Sequence, residues 1–419
     1  MQTFDVTVIG AGPAGLAAAL EADRQGAKTL LIEREARLGG ILKQCIHDGF
    51  GIVRYGEKLS GPEYAERFIE RLPDSGVTVW TLSFVSGIER VGTDSFLTVI
   101  TREGMKRVRT RSLVLATGCR ERTSRQIGVH GRHCAGVFTA GTAQYYTNIL
   151  GKLPTKRCVI LGSGDIGLIM ARRLTIEGAE VVGVYEAKPT PSGLTRNVSQ
   201  CLWDFDIPLH TGKTVSRVFG DARLTAVEIA SVDGCMCPIA GTEEIIPCDA
   251  LILSVGLIPE NELAQSIGVP LDPKTKGAIV DERNETLLQG VFACGNALHV
   301  NDLVDYVSES GETAGKAAAG SDRPERELLP VECDQSLLYV VPQRLDKAAA
   351  ESERVFFFRS SADMDNALLT VSRGETRLLS KRYAHLRPPE MERLPLALSS
   401  EQLAGEEPLL FHLEEATHA

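Results

Sequence analysis

The sequence predicts an α/β protein in which one three-layer domain is inserted into another, followed by a small C-terminal β-rich domain. Residues 5–35 and 157–187 each combine an apolar strand, a glycine-rich turn, a helix and a second strand that ends on a glutamate. Such alternation of strands and helices is typical of α/β domains built on parallel sheets. After residue 320 the pattern changes to short apolar or alternating runs, which are typical of β-strands.

Composition excludes several classes of protein. The chain has 419 residues, of which 43% are hydrophobic and 24% are charged, and its net charge is −10. This balance is typical of a globular protein, and the negative charge provides no basic surface for nucleic acid. No apolar stretch reaches the ~18 residues that a membrane-spanning helix requires. We therefore expect a cytoplasmic protein that has no transmembrane segment and does not bind nucleic acid.

The cysteine pattern argues against a metal site. Ten cysteines are scattered along the chain, with no CxxC and a single CxC at Cys235 and Cys237. In a chain of this length, scattered cysteines fit reduced cytoplasmic thiols better than a disulfide framework. Structural zinc and iron–sulfur clusters need paired ligand spacings that are missing here. We expect no metal, and we interpret the CxC as part of a surface hairpin.

The first motif, residues 5–35, has the layout of a Rossmann-like dinucleotide-binding unit. Gly10 permits a tight turn after the strand, Gly12 lets the backbone approach a pyrophosphate, and Gly15 lets the helix pack closely on the strand. The N-terminus of the helix offers N–H groups and partial positive charge to the phosphates. Glu33 follows Gly15 by 18 residues, a position from which its carboxylate can accept both ribose hydroxyls.

The second motif, residues 157–187, repeats this layout. Its glycines are Gly162, Gly164 and Gly167, and Glu186 follows the last of them by 19 residues. A carboxylate at this place bonds to a ribose 2′-hydroxyl and repels a 2′-phosphate, which favours NAD over NADP. The nearby basic residues Lys188 and Arg196 weaken this preference without reversing it.

Three further segments resemble characteristic parts of the two-dinucleotide-binding flavoproteins. Residues 112–118 resemble the alanine-threonine-glycine motif on the flavin side, and residues 249–259 resemble the strand that returns from the NAD domain. Residues 290–296 resemble the second FAD motif, with Asn296 where an acidic residue usually contacts the ribityl chain. An amide can still bond to ribityl hydroxyls. In these proteins the N-terminal motif binds FAD and the inserted motif binds NAD(P), so the resemblance implies the same order here.

The domain boundaries follow from this resemblance. It implies a discontinuous FAD-binding domain at residues 1–122 and 250–322, and an inserted NAD-binding domain at residues 123–249. Residues 323–419 are left as the small β-rich domain. Because that region has no nucleotide turn and no catalytic cluster, two roles stay open for it: a subunit contact and a structural cap on the FAD domain.

The C-terminal region contains several short strand candidates. The runs at 337–341, 354–358 and 368–372 alternate or are apolar, as in β-strands. Residues 321–328 are charged and contain a proline, which suits a linker. Residues 401–419 are expected to form a mobile tail.

The redox dithiols of disulfide reductases are missing. In the glutathione-reductase type a CxxxxC pair follows the first motif, and the matching positions here are Leu42 and His47. In the thioredoxin-reductase type a CxxC lies in the NAD domain, and the similar stretch here has Thr139 and Thr142. Because a threonine cannot carry electrons, disulfide reduction is disfavoured.

A single thiol could still take part in catalysis. Cys45 lies 12 residues after Glu33, near the position where single-cysteine NADH oxidases and peroxidases carry a reactive thiol. Lys43 or His47 would have to help to lower its pKa. The alternative, that Cys45 is a buried small apolar side chain, is favoured because cysteine often has that role. Lys43, Cys45 and His47 are therefore only weak catalytic candidates, and hydride transfer itself requires no general acid or base.

Several segments resemble a narrower bacterial group. They are residues 117–122, 139–144, 160–172, 254–262 and 293–305. The group comprises NAD/FAD-dependent pyridine nucleotide-disulfide oxidoreductase-like proteins, related to nucleotide-binding subunits of opine, proline and cyanide-forming dehydrogenases. The resemblance covers roughly residues 1–310, and in this group Asn296 is the expected residue. It implies two partners: a glycerol-3-phosphate-dehydrogenase-like flavoprotein that oxidises the substrate, and a small cysteine-rich electron-transfer protein.

The resemblance and the motifs together predict the cofactor-binding residues. The FAD candidates are Gly10, Gly12, Pro13, Ala14, Glu33, Arg34, Gly40, Ile41, Gln44, Val85, Ala116, Thr117, Gly118, Arg122, Gly295, Asn296 and Leu303. The NAD(H) candidates are Gly162, Gly164, Asp165, Ile166, Glu186 and Gly256.

Three functions stay open. The favoured one is the NAD-linked electron-transfer subunit of a multi-subunit dehydrogenase acting on a small hydroxy or amino substrate, within a homo- or hetero-oligomer. The second is a stand-alone NADH oxidase, peroxidase or disulfide reductase that uses Cys45. The third is a scaffold that keeps a flavin for structure only.

Overall fold

The computed structural model describes residues 1–320, 325–348 and 352–415. The chain divides into two compact units, which are described separately. The first comprises Met1–Lys43, His47–Cys119 and Pro259–Ala419, and the second comprises Gln44–Ile46 and Arg120–Ile258. Residues 325–415 thus belong to the same unit as the first glycine motif. The boundaries inferred from the sequence remain predictions, although the chain passes between the units within a few residues of 122 and about nine residues after 249.

The N-terminal part of the first unit contains eight strands and three helices. The strands are β1 (Gln2–Ile9), β2 (Thr29–Ile32), β3 (Asp48–Phe50), β4 (Leu59–Ser60), β5 (Thr78–Trp80), β6 (Phe84–Val91), β7 (Asp94–Thr101) and β8 (Gly104–Leu115). The helices are α1 (Pro13–Arg24), α2 (Ile52–Tyr55) and α3 (Gly61–Ile69). The strands β5, β2, β1 and β8 lie side by side in parallel, and β7 and β6 extend the sheet in antiparallel fashion. The buried strand β1 therefore ends at the centre of the sheet, beside the N-terminus of α1.

The second unit contains a parallel sheet and a smaller mixed one. Its strands are β9 (Cys119–Glu121), β10 (His130–Gly131), β11 (Val137–Thr139), β12 (Arg157–Leu161), β13 (Glu180–Glu186), β14 (Leu209–Thr211), β15 (Lys213–Gly220), β16 (Leu224–Ser231), β17 (Glu244–Pro247), β18 (Ala250–Leu253) and β19 (Leu257–Pro259). Its helices are α4 (Ala140–Asn148), α5 (Asp165–Ile176) and α6 (Thr195–Cys201). The parallel sheet has the order β11-β18-β12-β13-β14. The exposed Cys235 and Cys237 lie between β16 and β17.

The chain then returns to the first sheet. The elements are α7 (Glu262–Ser266), β20 (Val291–Ala293) and α8 (Val304–Ala319), and β20 pairs in parallel with β8. Glycines let α8 pack closely on α1, because a Cβ atom at Gly311 would lie 2.1 Å from the carbonyl oxygen of Ala14. No helix of the described part of the chain is long and apolar enough to cross a bilayer.

The C-terminal region is rich in strands. They are β21 (Leu328–Cys333), β22 (Leu337–Val341), β23 (Arg344–Asp346), β24 (Ser352–Ser360), β25 (Met364–Arg373), β26 (Thr376–Leu386), β27 (Glu392–Leu398) and β28 (Leu409–Glu415), with the short helix α9 (Ser400–Leu403). They form a five-stranded sheet, β23-β21-β28-β25-β26, and a three-stranded sheet, β22-β24-β27. Their shared core includes Phe356, Phe358 and Phe411. The predicted α/β architecture with a strand-rich C-terminal region is confirmed.

The prediction of a mobile tail from residue 401 is wrong for its described part. The strand β28 lies between β21 and β25, and its residues Leu409, Phe411 and Leu413 are buried. Apolar residues at every second position predict a β-strand here, but the polar residues on both sides of this segment make the pattern difficult to recognise in the sequence. Residues 416–419 lie outside the described residues, as does the part of the predicted linker at 321–324.

Candidate functional site

The first glycine turn, residues 10–15, joins β1 to α1. Gly10 has φ +99°, and a Cβ atom there would lie 2.4 Å from the carbonyl oxygen of Ala116. Within the described part of the chain, no side chain caps the N-terminus of α1, where Gly12 is the N-cap residue. The nearest atom to a Cβ at Gly12 would be the Gly40 Cα at 3.9 Å, so the backbone here is open to a ligand. Uncapped N–H groups beside an open glycine fit a pyrophosphate.

Glu33 holds this turn from the end of β2. Its side chain is buried, and its Oε2 accepts a hydrogen bond of 2.8 Å from the backbone N–H of Ala11. The other oxygen, Oε1, accepts from the backbone N–H of Glu35, also at 2.8 Å. Each carboxylate oxygen can accept a further bond. The acid is therefore oriented by the turn while it keeps acceptor capacity for a ribose.

The second glycine turn, residues 162–167, repeats this geometry between β12 and α5. Gly162 has φ +96°, and a Cβ atom there would lie 2.0 Å from the carbonyl oxygen of Ser254. Gly164 is the N-cap residue of α5, and again none of the described side chains caps the helix. The two turns thus share the left-handed glycine, the close backbone approach and the uncapped helix.

Glu186 is buried and is held more firmly than Glu33. Its Oε2 accepts from the backbone N–H of Ser163 at 3.0 Å, from the Ser163 hydroxyl at 2.6 Å and from the Ser192 hydroxyl at 3.1 Å. Its Oε1 accepts from the backbone N–H of Lys188 at 3.1 Å. Ser192 is not among the residues predicted from the sequence, because a serine in a polar loop gives no signal of its own.

Asp165, a predicted NAD(H) contact, also bonds to residues of its own unit, and its assignment to the cofactor stays a prediction. Its Oδ1 accepts from the backbone N–H of Leu194 at 3.0 Å and from the Asn197 amide at 2.7 Å. The carboxylate therefore fastens the loop before α6 to the start of α5. Ile166, the next predicted residue, is partly buried in the same first turn of α5.

The structure brings several predicted FAD residues together in the first unit. The strand ends carrying Ala116 and Gly295 both lie against the first turn: Ala116 contacts Gly10, and a Cβ at Gly295 would lie 2.7 Å from the Ala14 Cβ. Thr117 donates its hydroxyl hydrogen to the Glu260 carbonyl at 2.6 Å, and the adjacent Gly118 has φ +74°.

The Asn296 side chain is hydrogen-bonded to another residue of its own loop. Its Oδ1 accepts from the backbone N–H of Asn301 at 3.0 Å and from the Asn301 amide at 3.3 Å. Its Nδ2 donates to the Cys119 Sγ at 3.6 Å. The amide is therefore oriented on both sides, and Leu303 follows it as the N-cap residue of α8.

The other predicted FAD residues are described one by one. Gln44 belongs to the second unit, where its Nε2 donates to the Gly141 carbonyl at 2.9 Å and to the Gln144 side chain at 3.0 Å. Arg122 also belongs to the second unit, and its backbone N–H donates to the Gly256 carbonyl at 3.1 Å. Arg34 and Ile41 are exposed, Val85 is buried in β6, and Pro13 begins α1. The assignments of all these residues to a cofactor remain predictions.

The threonines at the expected dithiol positions lie at the start of a helix, where Thr139 is the N-cap residue. The Thr139 hydroxyl accepts from the backbone N–H of Thr142 at the start of α4, and the two hydroxyl oxygens are 2.9 Å apart. Leu42, at the other expected dithiol position, is buried in the apolar core of the first unit. Both places thus have side chains without redox chemistry.

The three catalytic candidates each contact other residues, and their catalytic role stays a prediction. Lys43 donates to Glu35 at 2.6 Å and to the Arg37 carbonyl at 2.8 Å, whereas the His47 ring lies against Phe50. Burial raises the pKa of the Cys45 thiol to about 12, and its Sγ lies 3.9 Å from the Gln144 side-chain oxygen. Within residues 1–320, 325–348 and 352–415, no three His, Cys, Asp or Glu side chains are grouped as metal ligands.

Glu186→Gln is expected to weaken NADH binding and to reduce the preference for NADH over NADPH. The amide would place an NH2 group against at least one of the donors now bonded to the carboxylate, and it would remove the charge that repels a 2′-phosphate. A charge-assisted hydrogen bond is worth about 1.5–3 kcal/mol, so the KM for NADH should rise about tenfold or more. Steady-state kinetics with both nucleotides measures this.

The matched control for that variant is Glu180→Gln, at the exposed start of the same strand, β13. Its carboxylate lies 3.5 Å from the Arg157 guanidinium, an exposed ion pair of small energy, so both KM values should stay within twofold. An unchanged ratio of the two KM values in Glu186→Gln would contradict the proposed nucleotide preference.

Comparison with known proteins identifies the family. Residues 4–319 match the pyridine nucleotide-disulphide oxidoreductase family. The chain is 26% identical to an opine oxidase subunit of Agrobacterium tumefaciens, over 75% of this chain and 64% of that protein. It is 30% identical to the hydrogen cyanide synthase subunit HcnB of Pseudomonas protegens, over 64% of this chain and 60% of that protein. The chain thus spans less than two thirds of these two relatives.

A solved structure agrees on the fold. Thioredoxin reductase of T. acidophilum superposes with a TM-score of 0.63 at 22% identity, covering 76% of this chain and 98% of that one. The chain therefore belongs to the pyridine nucleotide-disulphide oxidoreductase family, a class of oxidoreductases that use FAD and a nicotinamide cofactor.

Proposed function

We propose that this chain is the NAD-linked electron-transfer subunit of a multi-subunit dehydrogenase acting on a small hydroxy or amino substrate. FAD bound at the first glycine turn would exchange a hydride with NAD(H) bound at the second. The observation that carries the proposal is the repeated turn geometry, in which Gly10 and Glu33 have close counterparts in Gly162 and Glu186. One site of each kind in one chain is what nicotinamide–flavin exchange requires.

The chain's own residues would bind and orient rather than react. The uncapped starts of α1 and α5 would hold the phosphates, and the two buried glutamates would hold the riboses. No side chain needs to move a proton in hydride transfer between two cofactors. This is consistent with Lys43 and His47 being engaged with neighbouring residues.

The side chains at the two usual dithiol places support a protein partner as the other electron carrier. Thr139 caps α4 through the backbone N–H of Thr142, and Leu42 is a core residue, so neither place can pass electrons to a disulfide. The relatives named above are themselves called subunits, both HcnB and the opine oxidase protein. By analogy we infer a substrate-oxidising flavoprotein and a small cysteine-rich electron carrier as partners.

The decisive test of this proposal is a pull-down of the tagged full-length chain from its native cells, with identification of the proteins retained. We expect a flavoprotein and a cysteine-rich protein to be retained together, and the complex to reduce NAD when given the hydroxy or amino substrate of that flavoprotein. A chain that is isolated alone, and that reduces dyes with NADH but couples to no other flavoprotein, would contradict the subunit role.

Anaerobic NADH separates the electron carrier from a structural flavoprotein. We expect NADH to bleach the visible absorbance of the bound flavin within the turnover time of the dye assay. A flavin that stays oxidised while NADH is bound would favour a scaffold instead.

Cys45→Ser is expected to leave NADH–dye turnover unchanged. Burial raises the pKa of this thiol to about 12, so the reactive thiolate is a very small fraction of the population at neutral pH. Turnover should therefore remain within twofold of wild type, measured by stopped-flow and steady-state dye reduction. The control is Cys201→Ser, which changes a buried thiol of the same unit. A large loss confined to Cys45→Ser would support the stand-alone oxidase or peroxidase.

A further inference from the structure

The C-terminal strand-rich region contacts the loop that follows the second FAD motif. This loop, residues 295–303, runs from Gly295 to the N-cap of α8. It lies in the first unit together with the strands β21–β28, so the contacts between them are internal to one compact body. They bear on the two roles that the sequence leaves open for this region, a subunit contact and a structural cap on the FAD domain.

Arg359, on β24, contacts this loop at two residues, Val300 and Asp302. Its guanidinium donates to the Val300 carbonyl at 3.3 Å and pairs with the Asp302 carboxylate. The same group donates through Nε to the Tyr339 hydroxyl at 2.9 Å and through Nη1 to the Pro389 carbonyl. Only 12% of the Arg359 side chain is exposed, whereas 35% of the Asp302 side chain is exposed, so solvent reaches the carboxylate side of this ion pair. The planar guanidinium group, with its several N–H donors, thereby joins the loop to two other segments of the C-terminal region.

Asp302 and His299 complete the contact. The second oxygen of Asp302 accepts from the backbone N–H of Met391 at 2.6 Å. His299 is buried between the loop and the rings of Tyr339 and Phe357, at centroid distances of 5.9 and 5.4 Å. Burial, reinforced by the charge of Arg359, lowers the pKa of His299 to about 3, so its ring is a neutral packing group at physiological pH.

The loop connects this contact to the candidate flavin site. Asn301 donates from its backbone N–H and its amide to the Asn296 side chain, the predicted ribityl contact, and its amide also donates to the His299 carbonyl at 2.9 Å. Leu303 and the start of α8 directly follow Asp302. A shift of Val300 or Asp302 would therefore displace both Asn296 and the N-terminus of α8.

We propose that Arg359 is a positioning residue for the flavin: it clamps residues 295–303 from the C-terminal region so that Asn296 and the start of α8 are held ready for FAD. This inference rests on the proposed function, since it concerns the same FAD site. It assigns the C-terminal region the role of a support for the flavin loop.

The test compares FAD release from the purified full-length holoprotein and its variants. Arg359→Gln removes the charge and most of the donors, and we expect at least tenfold faster FAD release, followed as recovery of flavin fluorescence. Arg359→Lys keeps one charged donor for Asp302 and should give an intermediate rate. With FAD in excess, the KM for NADH should stay within twofold, because the second unit contains none of these residues.

Two further variants keep the outcome decisive. Arg387→Gln is the matched control: Arg387 bonds to Asp365 at 2.9 Å and to the Met364 carbonyl at 3.2 Å, within the C-terminal region alone, and its FAD release should equal wild type. Asp302→Asn tests the clamp from the loop side if Arg359→Gln does not fold, and it too should speed release.

The outcomes separate the two proposals. Release from Arg359→Gln and Asp302→Asn at the wild-type rate, or an equal acceleration in Arg387→Gln, overturns the clamp and leaves the proposed function standing. A wild-type protein that takes up no FAD overturns the proposed function and the clamp together.

Discussion

Gly10→Ala is expected to give a folded protein that does not retain FAD. The new Cβ atom would lie 2.4 Å from the Ala116 carbonyl oxygen, far inside van der Waals contact, and φ at this residue is +99°. The atoms in the way belong to the backbone, so the end of β1 or of β8 would have to move. Either movement displaces the turn and the Ala116–Gly118 segment together, which carry the predicted pyrophosphate and flavin contacts. We expect the purified variant to lack visible flavin absorbance and to bind added FAD at least a hundredfold more weakly.

The matched control for Gly10→Ala is Gly26→Ala. Gly26 follows α1 with φ +85°, and a Cβ atom there has no neighbour within 4 Å among the described residues. That variant therefore carries the cost of a left-handed alanine alone, about 1–2 kcal/mol, without a clash. Its FAD content should equal wild type even if its thermal midpoint falls by a few degrees. Full FAD occupancy in Gly10→Ala would remove the first turn as the flavin site.

The parts of the site that could be predicted from the sequence are those set by local geometry. The spacing of Gly10, Gly12 and Gly15 defines a turn that any chain with this strand–helix pattern must form, and the turn orients its own glutamate through Ala11. The second strand of this motif lies at Thr29–Ile32, directly before Glu33 as the motif predicts, and its mostly apolar residues are all buried. Local propensity and periodicity agree in these segments, so they predict the structure well.

The parts that could not be predicted depend on residues far apart in the chain. Arg359 contacts Asp302 from 57 positions away, and Ser192 reaches the Ser163 hydroxyl from 29. An arginine in a strand, or a serine in a loop, has the same local pattern whether or not it has such a partner. The same limit explains the placement of Gln44, whose amide bonds to Gly141 in the second unit.

Replacing Gly162 by alanine is expected to slow the reduction of the flavin by NADH without loss of bound FAD. A Cβ atom there would lie 2.0 Å from the Ser254 carbonyl oxygen, so the second glycine turn must open and Ser163 must leave the Glu186 carboxylate. All four of these residues belong to the second unit, whereas the first glycine turn belongs to the first unit. Changes at such separate places have nearly additive effects. We expect normal FAD content, normal bleaching by dithionite, and NADH-driven flavin reduction slowed at least a hundredfold.

Gly178→Ala supplies the matched comparison, because Gly178 follows α5 of the same unit with φ +92° and an open Cβ position. It should reduce flavin with NADH at the wild-type rate.

If Gly162→Ala also did so, the nicotinamide would have to bind elsewhere, and the order of cofactors along the chain would need revision. If instead both Gly10→Ala and Gly162→Ala lost flavin, the second turn would support the FAD site as well. FAD binding and NADH binding could then not be assigned to separate turns. Loss of flavin in one variant and loss of NADH-driven reduction in the other is the combination that only a two-site carrier predicts.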